Sequence, residues 1–310
     1  MNKVIVFQLL VAIFIVTGCK NRDKASADTS SLFPSELVDF NPIDQNPVFT
    51  GTGMDTWDQH IRERGYILRE DGIYKMWYTG YDGSDDPTMH LGYATSDDGL
   101  KWTRYAENPI FDEYWTEDVH VVKHDGSYFM VAEGVDDIAH LLSSVDGIHW
   151  QRLGDLDIRK VNGEPISPGA YGTPTLWIEG DNWYLLYERG DLGIWLALST
   201  DLKVWTNVQD EPVIKMGPDA YDLKGVAINQ IIKYKGRYYG YYHGTPDEDW
   251  ATWNSNVAVS DDLIHWTKYE KNPIVNTDSN SGNYSSPILV HDGNKYRLYT
   301  MHEKVRVFYP

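Results

Sequence analysis

Five short turns occur in this 310-residue chain, around Gly72, Gly126, Asp181, Gly236 and Gly293, and acidic residues lie at defined distances before and after them. Asp118 lies eight positions before Gly126 of the second turn, and Asp58 lies fourteen positions before Gly72 of the first. Glu188 ends the aromatic run that follows the third turn. Two facing carboxyl groups can act as a general acid and a general base. We therefore predict that Asp58, Asp118 and Glu188 are catalytic.

Further polar and aromatic side chains fall near the same positions and are predicted to bind substrate. They are Trp57, Arg62, Glu63, Arg64, Glu117, His120, Tyr171, Asp222, His243 and Tyr284. Carboxylates beside aromatic rings suit cleavage of a sugar bond, in which one carboxylic acid protonates the leaving oxygen and a carboxylate activates water or attacks. Crowding raises the pKa of one carboxyl group, which supplies an acid near neutral pH. The alternative for Arg62, Glu63 and Arg64 is a structural ion-pair ladder.

Two repeated phrases indicate the elements that position these residues. The pattern Ser-x-Asp-(Gly/Leu)-x-x-Trp occurs four times, ending at Trp102, Trp150, Trp205 and Trp266. Five hairpin signals, most of them Asp-Gly, occur around Gly72, Gly126, Asp181, Gly236 and Gly293. Repeats of roughly 40 to 60 residues built from short strands are typical of propellers. We predict an all-β fold, a five-bladed β-propeller of four-stranded antiparallel blades.

The repeats also predict which residues are structural and how the ring closes. The aspartates of the Ser-x-Asp turns are expected to bind their own backbone, and the tryptophans to pack between blades. The fifth hairpin has no Ser-x-Asp turn after it. We expect an N-terminal strand near residues 46–50 to complete the fifth blade. The blades of a propeller surround a central channel. The first strand of each blade begins at one mouth of this channel and the second strand returns to it. The candidate residues should therefore converge at that mouth.

The N-terminus carries an export signal in place of a folded element. An apolar run over residues 4–16 ends in Thr17-Gly18-Cys19, and Cys19 is the only cysteine. This pattern is typical of a lipoprotein signal peptide, too short for a transmembrane span. We predict a signal peptide over residues 1–18, a polar tether over 19–35 and the catalytic propeller over 36–310. Lipidation at Cys19 would place an exported protein in the outer membrane or periplasm of a Gram-negative bacterium.

The net charge and the cysteine count restrict the classes of molecule that the protein is expected to bind. The formal net charge of -19 argues against nucleic acid and against an anionic membrane surface, because both require a basic footprint. One cysteine excludes an internal disulfide. We expect a monomer that binds an oligosaccharide and contacts the membrane only through its lipid anchor. We expect no cofactor and no catalytic metal, although a structural cation in the channel is compatible with the pattern.

The chain resembles the five-bladed propeller glycosidases, a group that includes glycoside hydrolase families 32, 43, 62, 117 and 130. The Ser-x-Asp-Gly-x-x-Trp turns and the Asp-Gly-x-Tyr hairpins carry this resemblance. The segment from Trp115 to Val119 is similar to the family 43 segment that ends in Pro-Asp-Val. The resemblance implies that Asp118 orients and tunes the acid and that Asp58 corresponds to the base. Family 43 has a glutamate where this chain reads Tyr171-Gly-Thr-Pro, so Glu188 is the substitute acid.

The predicted function is an exo-acting, inverting glycoside hydrolase that cleaves plant or algal oligosaccharides. One alternative is a phosphorylase similar to family 130, with phosphate held by Arg62, Arg64 and Lys224. The other alternative is a propeller that binds sugar without catalysis.

Overall fold

The computed structural model describes residues 32–84, 87–166, 171–275 and 283–310. Five small antiparallel sheets form the blades of a β-propeller, which confirms the predicted fold class. Their innermost strands contact one another in chain order, and the last contacts the first, so the ring is closed. The one α-helix in the described part of the chain is α1 (Ser35–Val38), and no helix there is long and apolar enough to cross a membrane.

Blades one to four each have four main strands that follow one another outward from the axis in chain order. In blade three the segment before the innermost strand adds a short parallel strand at the outer edge. Blade one contains β3 (His60–Ile61), β4 (Tyr66–Glu70), β5 (Ile73–Tyr81), β6 (His90–Ser96) and β7 (Thr103–Arg104). Blade two contains β8 (Glu117–His124), β9 (Ser127–Glu133), β10 (His140–Ser144) and β11 (Gln151–Asp155). Blade three contains β12 (Asp157–Arg159), β13 (Thr175–Glu179), β14 (Asn182–Glu188), β15 (Gly193–Ser199), β16 (Val204–Asn207) and β17 (Ile214–Lys215).

The last two blades complete the ring. Blade four contains β18 (Gly225–Tyr234), β19 (Arg237–Thr245), β20 (Asn254–Ser260) and β21 (Trp266–Lys268). Blade five contains β22 (Pro287–His291), β23 (Tyr296–Met301), β24 (Lys304–Tyr309) and two N-terminal strands, β1 (Asn41–Pro42) and β2 (Phe49–Thr50). Since β2 pairs with Val305 and Lys304, the expected closure by an N-terminal strand is confirmed. The strand β1 adds a second pairing, with Tyr309 and Phe308.

The repeated turns are structural, as predicted. In the first copy Ser96 Oγ donates to Asp98 Oδ1 at 3.0 Å. Asp98 Oδ1 also accepts the N–H groups of Leu100 and Lys101 at 2.8 Å each. The bonds recur in the other three copies. Each aspartate therefore fixes its own turn. At the Asp71-Gly72 hairpin both residues have positive φ, 51° and 86°, which is the geometry of a type I′ turn.

The hydrophobic core lies between the blades. Trp77 and Trp205 are fully buried, and Trp77 Nε1 donates to Gly147 O of the next blade at 2.7 Å. At the N-terminal edge Phe33 is buried among residues of blades four and five. Packing against the propeller thus begins inside the stretch predicted as a tether. The predicted signal peptide and Cys19 lie outside the described residues, so lipidation stays a prediction.

Candidate active site

A pocket of about 270 Å³ opens where the innermost strands begin, at one mouth of the channel. Seven carboxylates line it: Glu63, Glu117, Asp118, Glu133, Asp137, Glu188 and Asp191. The lining also includes Arg62, His243, His302, Trp250 and Trp253. The structure therefore brings together two of the predicted catalytic residues, Asp118 and Glu188, with four of the predicted binding residues.

A left-handed residue precedes or begins the innermost strand in four of the five blades. Arg64, Asp118, Thr173 and Ser286 have φ values of 48°, 53°, 48° and 59°. A non-glycine residue in this conformation costs about 1–3 kcal/mol and persists only where its surroundings hold it. Here Val119 N–H donates to Arg64 O at 2.8 Å and Arg64 N–H donates to Met301 O at 3.1 Å, so adjacent blades hold the turn. The strained backbone is concentrated at the pocket.

Asp118 projects from this strained position into the pocket. Its Oδ2 lies 3.7 Å from Arg64 Nη1, and its side chain is 12% exposed. Burial raises the pKa of Asp118 well above its ordinary value; the Arg64 guanidinium opposes this, and the carboxylates of Glu63 and Glu117 add to it. Asp118 is therefore suited to hold a proton at a pH where an exposed aspartate is ionised.

Glu133 and Glu188 approach one segment of backbone from neighbouring blades. Gly172 N–H donates to Glu188 Oε1 at 3.0 Å, and Thr173 N–H donates to Glu133 Oε2 at 2.9 Å. A Cβ on Gly172 would lie 2.0 Å from Glu133 Oε2 and 2.8 Å from Glu188 Oε1, so the two carboxylates can come this close only over a glycine. A glycine within the segment where the resemblance implied a glutamate makes room for Glu188.

The two glutamates differ in how they are held. Both oxygens of Glu188 accept backbone N–H bonds, the second from Asp191 at 2.6 Å. Burial raises the pKa of Glu188, while these two bonds favour its ionised form. Burial and the carboxylate of Asp118 raise the pKa of Glu133 well above its ordinary value. The pocket therefore contains an oriented carboxylate beside carboxyl groups that resist ionisation.

The remaining charged groups surround this centre. Glu117 accepts bonds from Arg62 Nε at 2.9 Å and from Trp115 Nε1 at 2.7 Å, and Arg62 also lies 3.4 Å from Glu63. Burial, with the carboxylate of Glu188 next, raises the pKa of Asp191 to about 7. Arg62 is thus paired on the pocket wall.

A pair of tryptophans forms the apolar wall of the pocket. Trp250 is 50% exposed, and its φ of 55° is unusual for a bulky residue. Trp250 N–H donates to Asp247 O at 3.3 Å, and Trp253 N–H donates to Asn283 Oδ1 at 2.8 Å. Such a loop holds an aromatic face toward the pocket at a cost in backbone strain.

Asp58 and Asp222 do not reach the pocket, which corrects the prediction for both. Asp58 is buried in blade one, where Oδ2 accepts Tyr78 OH at 3.0 Å and Arg104 Nε at 2.8 Å. Asp222 is buried in blade four with equivalent partners: its Oδ2 accepts Tyr242 OH at 3.2 Å and a bond from the Lys268 ammonium. The two aspartates are equivalent structural anchors that tie the inner strands of a blade to its outer strand.

Five other predicted binding residues are packed away from the pocket lining. Arg64 and His120 are buried beneath the pocket, where Arg64 Nη2 donates to Pro174 O and Thr175 Oγ1 at 3.1 Å each. Trp57 stacks on Tyr78, and Tyr284 packs edge-on against Phe308. Tyr171 is buried in the hydrophobic core. Packing against the core therefore holds each of these three rings.

Sequence reasoning left several lining residues out of the predicted site. Glu133 ends β9 at the position where Glu188 ends β14, so the hairpin register places it at the mouth, although it was not among the residues predicted to be catalytic or to bind substrate. Asp137 lies in a short 3₁₀ helix (Val135–Asp137), and Asp191, Trp250 and His302 lie in loops. Strand register applies to none of these positions. Within residues 32–84, 87–166, 171–275 and 283–310, no group of three or more His, Cys, Asp or Glu side chains is arranged to hold a metal ion.

Comparison with known proteins confirms the resemblance to propeller glycosidases. Residues 227–307 match the model of the glycosyl hydrolases family 32 N-terminal domain. The chain is 25% identical over 231 residues to the 1,2-beta-oligomannan phosphorylase of Thermoanaerobacter sp. (strain X514), covering 69% of this chain and 74% of that protein.

Solved structures share the fold. A glycosyl hydrolase from Bacteroides ovatus superposes with a TM-score of 0.70 at 17% identity, over 87% of this chain and 92% of that one. A structure from the GH130 family of mannoside phosphorylases, which contains glycoside hydrolases that target β-1,2 mannosidic linkages in Candida mannan, gives a TM-score of 0.68 at 16% identity, over 87% and 92%. The chain is therefore similar in sequence to a glycoside phosphorylase and shares its fold with glycoside hydrolases.

Proposed function

We propose that the protein is a glycoside hydrolase that removes terminal sugars from oligosaccharides with inversion. The observation that carries the proposal is the placement of Asp118 in one pocket with Glu133 and Glu188, beside the exposed face of Trp250. An acid that retains its proton, an oriented carboxylate and an aromatic platform are the parts that glycoside cleavage needs.

The environments of the carboxyl groups suggest their roles. Asp118 protonates the leaving oxygen, because burial and neighbouring carboxylates keep its proton in place. Glu188 activates water, because two backbone N–H bonds orient it and favour its ionised form. Glu133 lies beside Glu188 over Gly172, and the carboxylates of Glu63 and Glu117 oppose ionisation of Asp118. Asp58 has no part in this scheme. The scheme also reverses two expected roles, because the resemblance implies that Glu188 is the acid and that Asp118 orients it.

The distribution of cations favours water over phosphate as the attacking group. Of the three residues considered for a phosphate site, Arg62 is paired with Glu117 and Glu63. Arg64 is fully buried, and Lys224 pairs with Glu248 at 2.8 Å outside the pocket lining. A phosphate dianion would face seven carboxylates in the pocket and be repelled by those that are ionised.

The names of the relatives suggest the first substrates. A curated relative is named an oligomannan phosphorylase, and a structural neighbour belongs to a family containing hydrolases of β-1,2 mannosidic linkages. We propose β-1,2-linked manno-oligosaccharides as the substrate class.

The test compares turnover with and without phosphate. Purified protein is incubated with β-1,2-mannobiose in phosphate-free buffer and in phosphate at about 10 mM, roughly tenfold above the upper end of the usual range of KM values. Hydrolysis predicts mannose as the only product at equal rates in both buffers. Mannose 1-phosphate formed only with phosphate would identify a phosphorylase. Binding without turnover in either buffer would identify a sugar-binding propeller.

A further inference from the structure

A second cavity lies beside the pocket, at the seam between blades five and one. Its volume is about 420 Å³, within the range of small-ligand sites, about 300–1,000 Å³. Gln59, His60 and Tyr81 line one side, Thr50 another, and Glu303 and Lys304 a third. We call this cavity the seam groove.

The seam groove opens on the same face of the propeller as the pocket. Tyr81 is the last residue of β5, and Glu303 lies in the turn that follows β23, so both lie at the returning ends of second strands. Ile61 lines the groove and Arg62 lines the pocket; likewise Glu303 lines the groove and His302 the pocket. Only the thickness of these two chain segments separates the cavities.

Glycines let the backbone pass close to residue 59 on one side of the seam groove. A Cβ on Gly51 would lie 2.3 Å from Gln59 O, so the chain passes against its neighbour only because this side chain is absent. Gly53 has a φ of 65°, its N–H donates to Gln59 O at 3.0 Å, and nothing lies within 4 Å of the position a Cβ would take. Closely packed, hydrogen-bonded backbone therefore forms this side of the groove.

The chemistry of the seam groove fits a neutral sugar. The His60 and Tyr81 rings lie 5.3 Å apart at 34° and form an aromatic wall. Thr50, Gln59, Glu303 and Lys304 supply donors and acceptors, and the glutamate and lysine charges offset each other. Aromatic faces with polar groups around them bind pyranose rings, whereas a charged ligand would require an excess of one sign.

We propose that the seam groove binds the sugar units of the leaving chain, beyond the bond cleaved in the pocket. This inference rests on the proposed hydrolase function. It assigns to the protein a preference for longer oligosaccharides, because units beyond the first two gain contacts with the groove.

The test measures how chain length affects turnover. The ratio of kcat/KM for β-1,2-mannotetraose to kcat/KM for β-1,2-mannobiose is determined for the wild type, His60→Ala and Thr50→Trp. The first variant removes part of the aromatic wall, and the second fills the cavity from an exposed residue. The ratio is expected to fall at least fivefold in both. His149→Ala, at an exposed histidine in a Ser-x-Asp turn, is the matched control and should keep the wild-type ratio.

Two results separate failure of the groove from failure of the proposed function. Turnover of both sugars with the same ratio in wild type and variants would overturn the groove and leave the hydrolase. If the wild type turns over neither sugar, calorimetry with the two sugars replaces kinetics. Tighter binding of the tetraose that is lost in Thr50→Trp would support the groove without the hydrolase. Equal or absent binding of both sugars would overturn it.

Discussion

Asp118 combines a fixed position at the pocket with burial that favours its protonated form. The backbone at this residue is left-handed and the side chain faces the pocket. Its charge partner Arg64 is buried, with Nη1 3.7 Å from Asp118 Oδ2. Neighbouring carboxylates oppose the effect of Arg64, so burial sets the direction of the pKa shift. The proton on Asp118 thus depends on residues from more than one blade.

Glu63→Gln is expected to move the alkaline limb of the pH profile to lower pH. The Glu63 carboxylate is one of the groups that raise the pKa of Asp118, so its removal makes ionisation of Asp118 easier and the acid form is lost at a lower pH. The pH dependence of kcat/KM on β-1,2-mannobiose measures the limb. Asp136→Asn, which removes a charge from an exposed position on the blade that carries Asp118, should leave the limb in place. An unshifted limb in Glu63→Gln would contradict the role given to Asp118.

Trp250→Gly is expected to separate binding from stability. Loss of the indole should raise KM about tenfold, equivalent to about 1.4 kcal/mol. Glycine tolerates the φ of 55°, so the melting temperature should stay the same or rise. Trp250→Phe retains an aromatic face and should keep KM within about threefold, well inside that 1.4 kcal/mol step. Steady-state kinetics and thermal unfolding measure these effects; an unchanged KM in Trp250→Gly would remove Trp250 from the binding site.

At the scale of the blade, Asp58 and Asp222 are duplicates of one structural device. Each accepts bonds from a tyrosine on the second strand and from a basic residue on the outermost strand. In each blade an asparagine side chain also donates to the tyrosine hydroxyl: Asn108 Nδ2 to Tyr78 OH at 3.3 Å, and Asn272 Nδ2 to Tyr242 OH at 3.4 Å. The device holds the second and fourth strands of a blade together.

Asp58→Ala is expected to lower stability without removing activity. It leaves Arg104 and Tyr78 without their acceptor, which should cost about 2–4 kcal/mol, since Arg104 is only one-third exposed. Chemical denaturation measures the loss, and kcat measured well below the melting temperature should stay within about threefold of wild type, a factor below 1 kcal/mol. Asp222→Ala should behave in the same way. A loss of activity near a hundredfold in a folded Asp58 variant would restore Asp58 as a catalytic residue.

Hairpin register explains why part of the site was predictable from sequence. It placed Arg62, Asp118 and Glu188 at the mouth because strands one and two of each blade begin and end there. It failed for Asp58 because that residue lies in the segment before the strands of blade one, where side-chain packing decides its direction. Trp250 and Asp191 lie in loops, and no periodic pattern specifies where a loop points.

At the scale of the whole molecule, one mouth concentrates negative charge in a protein whose net charge is already -19. Buried carboxyl groups with raised pKa values bind protons more tightly in the folded state than in the unfolded state. Their contribution to stability is present below the unfolded pKa and is lost as pH rises through the folded pKa. The pocket should therefore make the protein less stable at pH 8 than at pH 5.

Asp191→Asn is expected to reduce this loss. The pKa of Asp191 rises from 3.8 to about 7 on folding, so the wild type pays most for its charge above pH 7. The variant should raise the free energy of unfolding at pH 8 more than at pH 5. Urea denaturation at the two pH values measures the difference, with Asp136→Asn as the control for net charge. An equal effect of Asp191→Asn at both pH values would show that Asp191 titrates as it does in the unfolded chain.

The central claim, that Asp118 donates the proton to the leaving oxygen, is tested most directly by changing the leaving group. Wild type and Asp118→Asn are compared on β-1,2-mannobiose and on 2,4-dinitrophenyl β-mannoside, whose leaving group departs without protonation. The account predicts a loss of about a hundredfold or more in kcat/KM on the disaccharide and less than about tenfold on the aryl glycoside. Equal losses on both substrates, or no loss on the disaccharide, would contradict it.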